Sequence, residues 1–149
     1  MAVTQRRRQN QTMVFTNGCF DILHVGHVEY LEAARQLGDY LVIAINSDAS
    51  VHKLKGPGRP LNSHSARSRV LAALGCVDYV VIFGSLRVTS LLRHLKPEIY
   101  VKGGDYTAKS LDPQERAAIN SYGGKIRILP LWKGYSTTRL IKTIDKNLA

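Results

Sequence analysis

Cysteine, tryptophan and acidic residues are scarce in this chain of 149 residues, which has two Cys, one Trp and 11 Asp plus Glu against 21 Lys plus Arg. Two cysteines, Cys19 and Cys76, are too few for a disulfide framework and are expected as free thiols of a reducing compartment. The sequence shows neither a secretory apolar segment nor an apolar run long enough to span a membrane, so a cytoplasmic protein is expected. No GxxxxGK[ST] occurs, which excludes a P-loop kinase. Gly56-Pro57-Gly58 runs into Arg59-Pro60, where no helix can begin, so a dinucleotide fingerprint is excluded as well. His24 and His27 have no HExxH context and no Cys or acid at ligand spacing, so no protein metal site is expected.

What is abundant is positive charge, formally +10. Part of it lies in Arg6-Arg7-Arg8, within a polar lead (residues 1–11) without apolar period that is expected to be flexible. More gathers near glycines, in Lys53-Leu54-Lys55-Gly56-Pro57-Gly58-Arg59, as suits a polyanionic small molecule such as a triphosphate. A basic nucleotide- or RNA-binding module without catalysis is the competing account. No RNP motif, zinc-finger spacing or helix-turn-helix pattern supports it.

From residue 12 to 149 a single domain is expected, with strand and helix alternating throughout. Thr12–Phe15, Tyr40–Ile45, Tyr79–Phe83, Ile99–Lys102 and Lys125–Leu129 read as strands, several of them nearly continuous apolar runs, as in strands buried on both faces. Between them Val28, Leu31, Ala34 and Leu37 recur at helical spacing, and further helices are predicted over 63–74, 88–95, 113–122 and 136–147. Lys53 to Pro60 is expected as a mobile loop. The fold class is therefore α/β: a doubly wound, Rossmann-like, five-stranded parallel sheet with helices on both faces. Ligands of such sheets bind beyond the carboxyl ends of the strands.

Three stretches fall at those ends: Thr16-Asn17-Gly18-Cys19-Phe20-Asp21-Ile22-Leu23-His24-Val25-Gly26-His27, then Lys102-Gly103-Gly104-Asp105-Tyr106, then Ser136-Thr137-Thr138. The first joins a strand to a helix whose unpaired N–H groups and positive dipole end suit a phosphate. His24 and His27, three residues apart, stand together at that helix start, where imidazoles can donate to phosphoryl oxygens as charge builds up. Cys19 is expected as a small, half-buried residue rather than a nucleophile.

The strand, glycine turn, Phe-Asp and His-x-Gly-His together resemble the HxGH nucleotidyltransferases. Further stretches are similar to the heptose 1-phosphate adenylyltransferases: Asn46-Ser-Asp-Ala-Ser50, Leu54-Lys-Gly56 with Arg59-Pro60, Val101-Lys-Gly-Gly-Asp-Tyr106, and Ser136-Thr-Thr138. The resemblance implies transfer of AMP from ATP, with Mg²⁺, to D-glycero-D-manno-heptose 1-phosphate. The products would be pyrophosphate and ADP-heptose, a precursor of the lipopolysaccharide inner core. It implies catalytic roles for His24, His27 and Lys55. Nucleotide contacts are implied for Thr16, Asn17, Gly18, Cys19, Phe20, Gly26, Arg67, Gly103, Asp105, Ser136, Thr137 and Thr138, and sugar-phosphate contacts for Asp21 and Lys102. A free-standing transferase is expected, with a separate heptose kinase upstream, a homodimeric state, and no nucleic-acid or membrane partner. Glycerol-3-phosphate cytidylyltransferases are the related alternative, but their final motif carries an Arg where this chain has Leu131. The segment Gly84-Ser-Leu-Arg-Val-Thr89 lacks the acidic residues usual in the heptose pattern.

Overall fold

The computed structural model describes residues 2–104, 106–107 and 109–148. Strands β1 (Met13–Gly18), β2 (Tyr40–Asn46), β3 (Tyr79–Phe83), β4 (Ile99–Gly103) and β5 (Lys125–Leu129) form one sheet in the order β3-β2-β1-β4-β5. All four neighbouring pairs are parallel. The chain winds outward from β1 to β3, then returns to β1's other edge as β4. The strand order thus reverses between β1 and β4, the crevice where such sheets bind ligands.

Alternation along each strand divides the core between two faces. Met13, Phe15, Tyr40 and Val42 pack on one side with α5 (Thr89–Leu95) and α6 (Pro113–Asn120), through Leu92, Ala118 and Ile119. Val14, Leu41, Ile43 and Ile45 pack on the other, with α2 (Val25–Arg35) and α4 (His64–Ala72), through Leu31, Ala34 and Leu71. This is the doubly wound α/β arrangement the apolar pattern predicts. No helix among the described residues is long and apolar enough to cross a membrane.

Two local expectations change. The basic lead carries a helix, α1 (Ala2–Arg8), because Arg6 has partners in the body of the fold. Its guanidinium donates to Tyr79 Oη (3.1 Å), pairs with Asp78 (3.2 Å) and lies over the Tyr40 ring, 5.0 Å from its centroid. Lys55, expected in a loop, instead closes α3 (Asp48–Lys55). The Ser47 hydroxyl accepts the Ser50 N–H at its start, and Gly56, at φ +87°, stops it in a conformation that disfavours any side chain.

Arg67 is also corrected. Expected to meet phosphate, it is buried, and its guanidinium is engaged by the scaffold. It donates to the carbonyls of Asn62 (3.0 Å), Cys19 (2.7 Å) and Asn46 (2.9 Å) and to the Asp48 carboxylate (2.8 Å). One side chain of α4 thus ties the ends of β1 and β2 to the start of α3. Hydrogen bonds from a charged donor are worth about 1.5–3 kcal/mol each. Arg67→Met should therefore lower stability by at least about 2 kcal/mol in urea titrations.

Candidate active site

The carboxyl ends of β1, β2 and β4 open into a cleft of about 850 Å³. Its walls take in Asn17 and Gly18 at the end of β1, Cys19 to Asp21 beyond it, His24, Gly26 and His27 at the start of α2, Lys55 at the end of α3, and Lys102 and Gly103 from β4. Ser136, Thr137 and Thr138, at the start of α7 (Thr137–Leu148), complete it. Three stretches far apart in sequence thus meet in one place. Thr16 and Arg67 are not on these walls, and Asp105 lies outside the described residues. Thr16 is fully buried, its hydroxyl bound to Tyr30 Oη (2.8 Å) and donating to the Val101 carbonyl (3.0 Å); it joins β1 to β4 instead of meeting a nucleotide.

His24 stands just before α2 with extended backbone (φ −141°, ψ 171°), and its ring stacks on His27 with centroids 3.8 Å apart. The stack needs Gly26: a Cβ there would come within 3.0 Å of the His24 ring. His27 Nδ1 accepts the backbone N–H of His24 (3.4 Å), so its own proton resides on Nε2. His24 Nδ1 is buried with no hydrogen-bond partner. The preceding turn is bent through Phe20, at φ +47°, a left-handed conformation unusual for an aromatic residue.

Burial sets the ionisation of the site. It lowers the pKa of His24, and that of His27 to about 4, where the positive charges of His24 and Lys55 add to the burial. Both rings are therefore neutral near pH 7. Burial pushes the Cys19 thiol up, outweighing the cations around it, so it stays protonated and is not an activated nucleophile. Burial likewise lowers the Lys102 pKa, opposed by Glu115 and Asp112.

Asp21, expected at the sugar phosphate, lies on the cleft wall and is also held by the scaffold. Its buried carboxylate accepts the N–H groups of Leu61 (2.9 Å) and Asn62 (2.9 Å) and pairs with Arg59 (3.0 Å). The carboxylate thus pins the far end of the basic glycine segment to the histidine turn, with Gly56 to Gly58 between that anchor and the end of α3. At the start of α7 the Ser136 hydroxyl accepts the Arg139 N–H (3.1 Å), which fixes a helix N-terminus at the cleft.

Sequence reasoning missed Tyr30, Arg87, Asp112, Glu115, Trp132 and Tyr135, all on the cleft wall. Asp112 and Glu115 carried a signal, the Asp-x-x-Glu of a helix start, with Asp112 capping α6 through the N–H groups of Gln114 (2.9 Å) and Glu115 (3.2 Å). A capping box would return the Glu115 side chain to the cap. Here it turns to the Tyr100 hydroxyl instead (2.9 Å). Among the described residues no three His, Cys, Asp or Glu side chains gather as a metal cage.

Residues 15–143 match the family model described as cytidylyltransferase-like. The bifunctional protein HldE of Syntrophotalea carbinolica is 52% identical over 138 residues, 93% of this chain and 28% of that protein. HldE of Pseudomonas entomophila is 50% identical over 147 residues, 99% of this chain and 31% of that protein. The chain thus spans about three tenths of the length of these curated relatives. Among solved structures, a lipopolysaccharide core biosynthesis protein from Thermoplasma volcanium superposes with a TM-score of 0.67 at 28% identity, over 85% of this chain and 99% of that one. The pantothenate synthetase of Thermus thermophilus, with a TM-score of 0.55 at 15% identity over 93% of this chain and 68% of that one, shares the fold alone.

The lowered histidine values make stability depend on pH with a definite sign. Between 6.5, the ordinary histidine value, and about 4, the unfolded chain binds a proton on His27 that the folded chain refuses. Stability is complete above that window and falls as pH drops through it. Thermal melts from pH 7 to pH 4 should show the decline, and His27→Gln should make it shallower; equal slopes would contradict the burial of a neutral ring.

Proposed function

The chain belongs to the cytidylyltransferase-like family, and from that premise we propose that it transfers AMP from ATP to heptose 1-phosphate, releasing pyrophosphate. The observation that carries the chemistry is the stacked, neutral His24–His27 pair sharing one cleft with Lys55, Lys102 and the start of α7. A phosphate oxygen of the sugar phosphate attacks the α-phosphorus of ATP. A new P–O bond forms, the bond from the α-phosphorus to its bridging oxygen breaks, and pyrophosphate leaves with that electron pair. A phosphate monoester is already anionic near pH 7, so no protein base is required. The barrier is one of charge: two anions must meet, and negative charge grows on the oxygens of the five-coordinate phosphorus.

His27 meets that demand with its Nε2–H, held in the donating tautomer by the hydrogen bond at Nδ1. The neutral His27 ring donates as it stands, since a second proton would need Nδ1, which already accepts the His24 N–H. Lys55 neutralises the α- or β-phosphate, and the first turn of α7 receives the terminal phosphates. Lys102 receives the acceptor phosphate. Mg²⁺ would enter with the triphosphate and would supply positive charge to offset that of the phosphates during transfer.

ATP and heptose are supported by the motif resemblance, by Leu131 at the position of the cytidylyltransferase arginine, and by about 50% identity to HldE proteins. The reading includes a cytoplasmic site, a homodimer, and a sugar kinase to supply the acceptor.

Pyrophosphate release with ATP or CTP, each paired with heptose 1-phosphate or glycerol 3-phosphate, tests the assignment. ATP with heptose 1-phosphate should be the fastest of the four; faster turnover with CTP and glycerol 3-phosphate would overturn it. Removing one preorganised donor to a developing oxyanion costs roughly 100- to 1,000-fold in turnover. His24→Ala and His27→Ala should each lose that much kcat with ATP binding retained.

A further inference from the structure

We propose that Glu115 is a positioning residue that holds the Lys102 ammonium at the acceptor-phosphate end of the cleft, in concert with Tyr100 and Asn17. Lys102 is only 7% exposed, and a buried ammonium needs close partners. Asn17 Oδ1 accepts from its Nζ at 2.9 Å, while the Glu115 carboxylate stands at 3.9 Å. At that distance the carboxylate supplies charge without occupying an N–H group, so the remaining ammonium hydrogens stay available to an incoming phosphate. Tyr100 sets this spacing. Its ring is fully buried, and its hydroxyl lies 2.9 Å from Glu115 Oε2 and 2.8 Å from Asn17 Oδ1, between the two groups that flank the ammonium. The Tyr106 ring, 4.9 Å from Nζ, covers the ammonium in turn.

The titratable groups around Lys102 are Glu115 from α6, Asp112 at its cap, Tyr100 from β4, Tyr106 just beyond it, and Tyr30 from α2. Only the two carboxylates oppose the burial that favours the neutral amine, and Glu115 contributes more than Asp112. Without Glu115 the amine would lose its proton at lower pH and leave the phosphate without a counter-charge.

The proposal rests on Lys102 meeting the acceptor phosphate, and its test separates the two ideas. The Lys102 ammonium is titrated by nitrogen-15 NMR in the full chain without substrate, its signal assigned by its loss in Lys102→Met. Glu115→Gln should move that titration down by about one pH unit or more. The alkaline limb of kcat/KM for the acceptor should move with it, and KM for ATP should stay put. An unmoved titration overturns the proposal and leaves the role of Lys102 standing. A moved titration with an unmoved acceptor limb overturns the phosphate role of Lys102, and the proposal with it. Glu115→Asp keeps the charge but withdraws it by one methylene. It should shift the titration the same way by less, and it decides the matter if Glu115→Gln does not fold.

Discussion

Parallel strands cannot be joined by hairpins, because each must be re-entered from the same end of the sheet. That constraint organises this molecule. Every strand from β1 to β5 is followed by a connection leaving its carboxyl end, and all four strand pairings are parallel. Loops that are remote in sequence are therefore delivered to one edge. The reversal of order at β1 parts the connections on either side and leaves a cleft between them. Buried apolar faces hold the sheet; the cleft follows from its topology.

Within the cleft, removal of water does more than any single charge pair to set the chemistry. Burial alone lowers His24, leads in lowering His27 and Lys102, and leads in raising Cys19. The imidazoles are held neutral and the Lys102 ammonium is pushed toward its neutral form, in a space bordered by donors. A polyphosphate entering that space supplies a counter-charge to the Lys102 ammonium, so binding favours its charged form. The site is poised for anions because its cations are under-solvated.

A second layer of polar contacts keeps that space in shape. Arg67 ties three backbone carbonyls and the Asp48 carboxylate together beneath the cleft. Asp21 clamps residues 59 to 62 against the histidine turn. Both are charged residues in or beside motif stretches, where sequence alone suggests ligand contact. Burial and fixed partners commit them instead to holding the backbone from which the ligand-facing groups project.

The alternation of apolar runs with helical periods determined the fold class by itself, since a run such as Tyr40–Ile45 suits only a strand covered on both faces. The Gly turn with His24, Gly26 and His27 likewise marked the site, because a strand entering a helix through glycine imposes local geometry that neighbouring residues encode. Tertiary structure alone decided the rest. The scaffold contacts of Thr16, Asp21 and Arg67 run to partners that mostly lie 14 to 85 residues away in sequence. Glu115, on the cleft wall, met the buried Tyr100 through a contact between α6 and β4 that no local pattern displays. Local sequence specifies backbone conformation, but a polar side chain's role depends on which distant atoms reach it and on how much water remains.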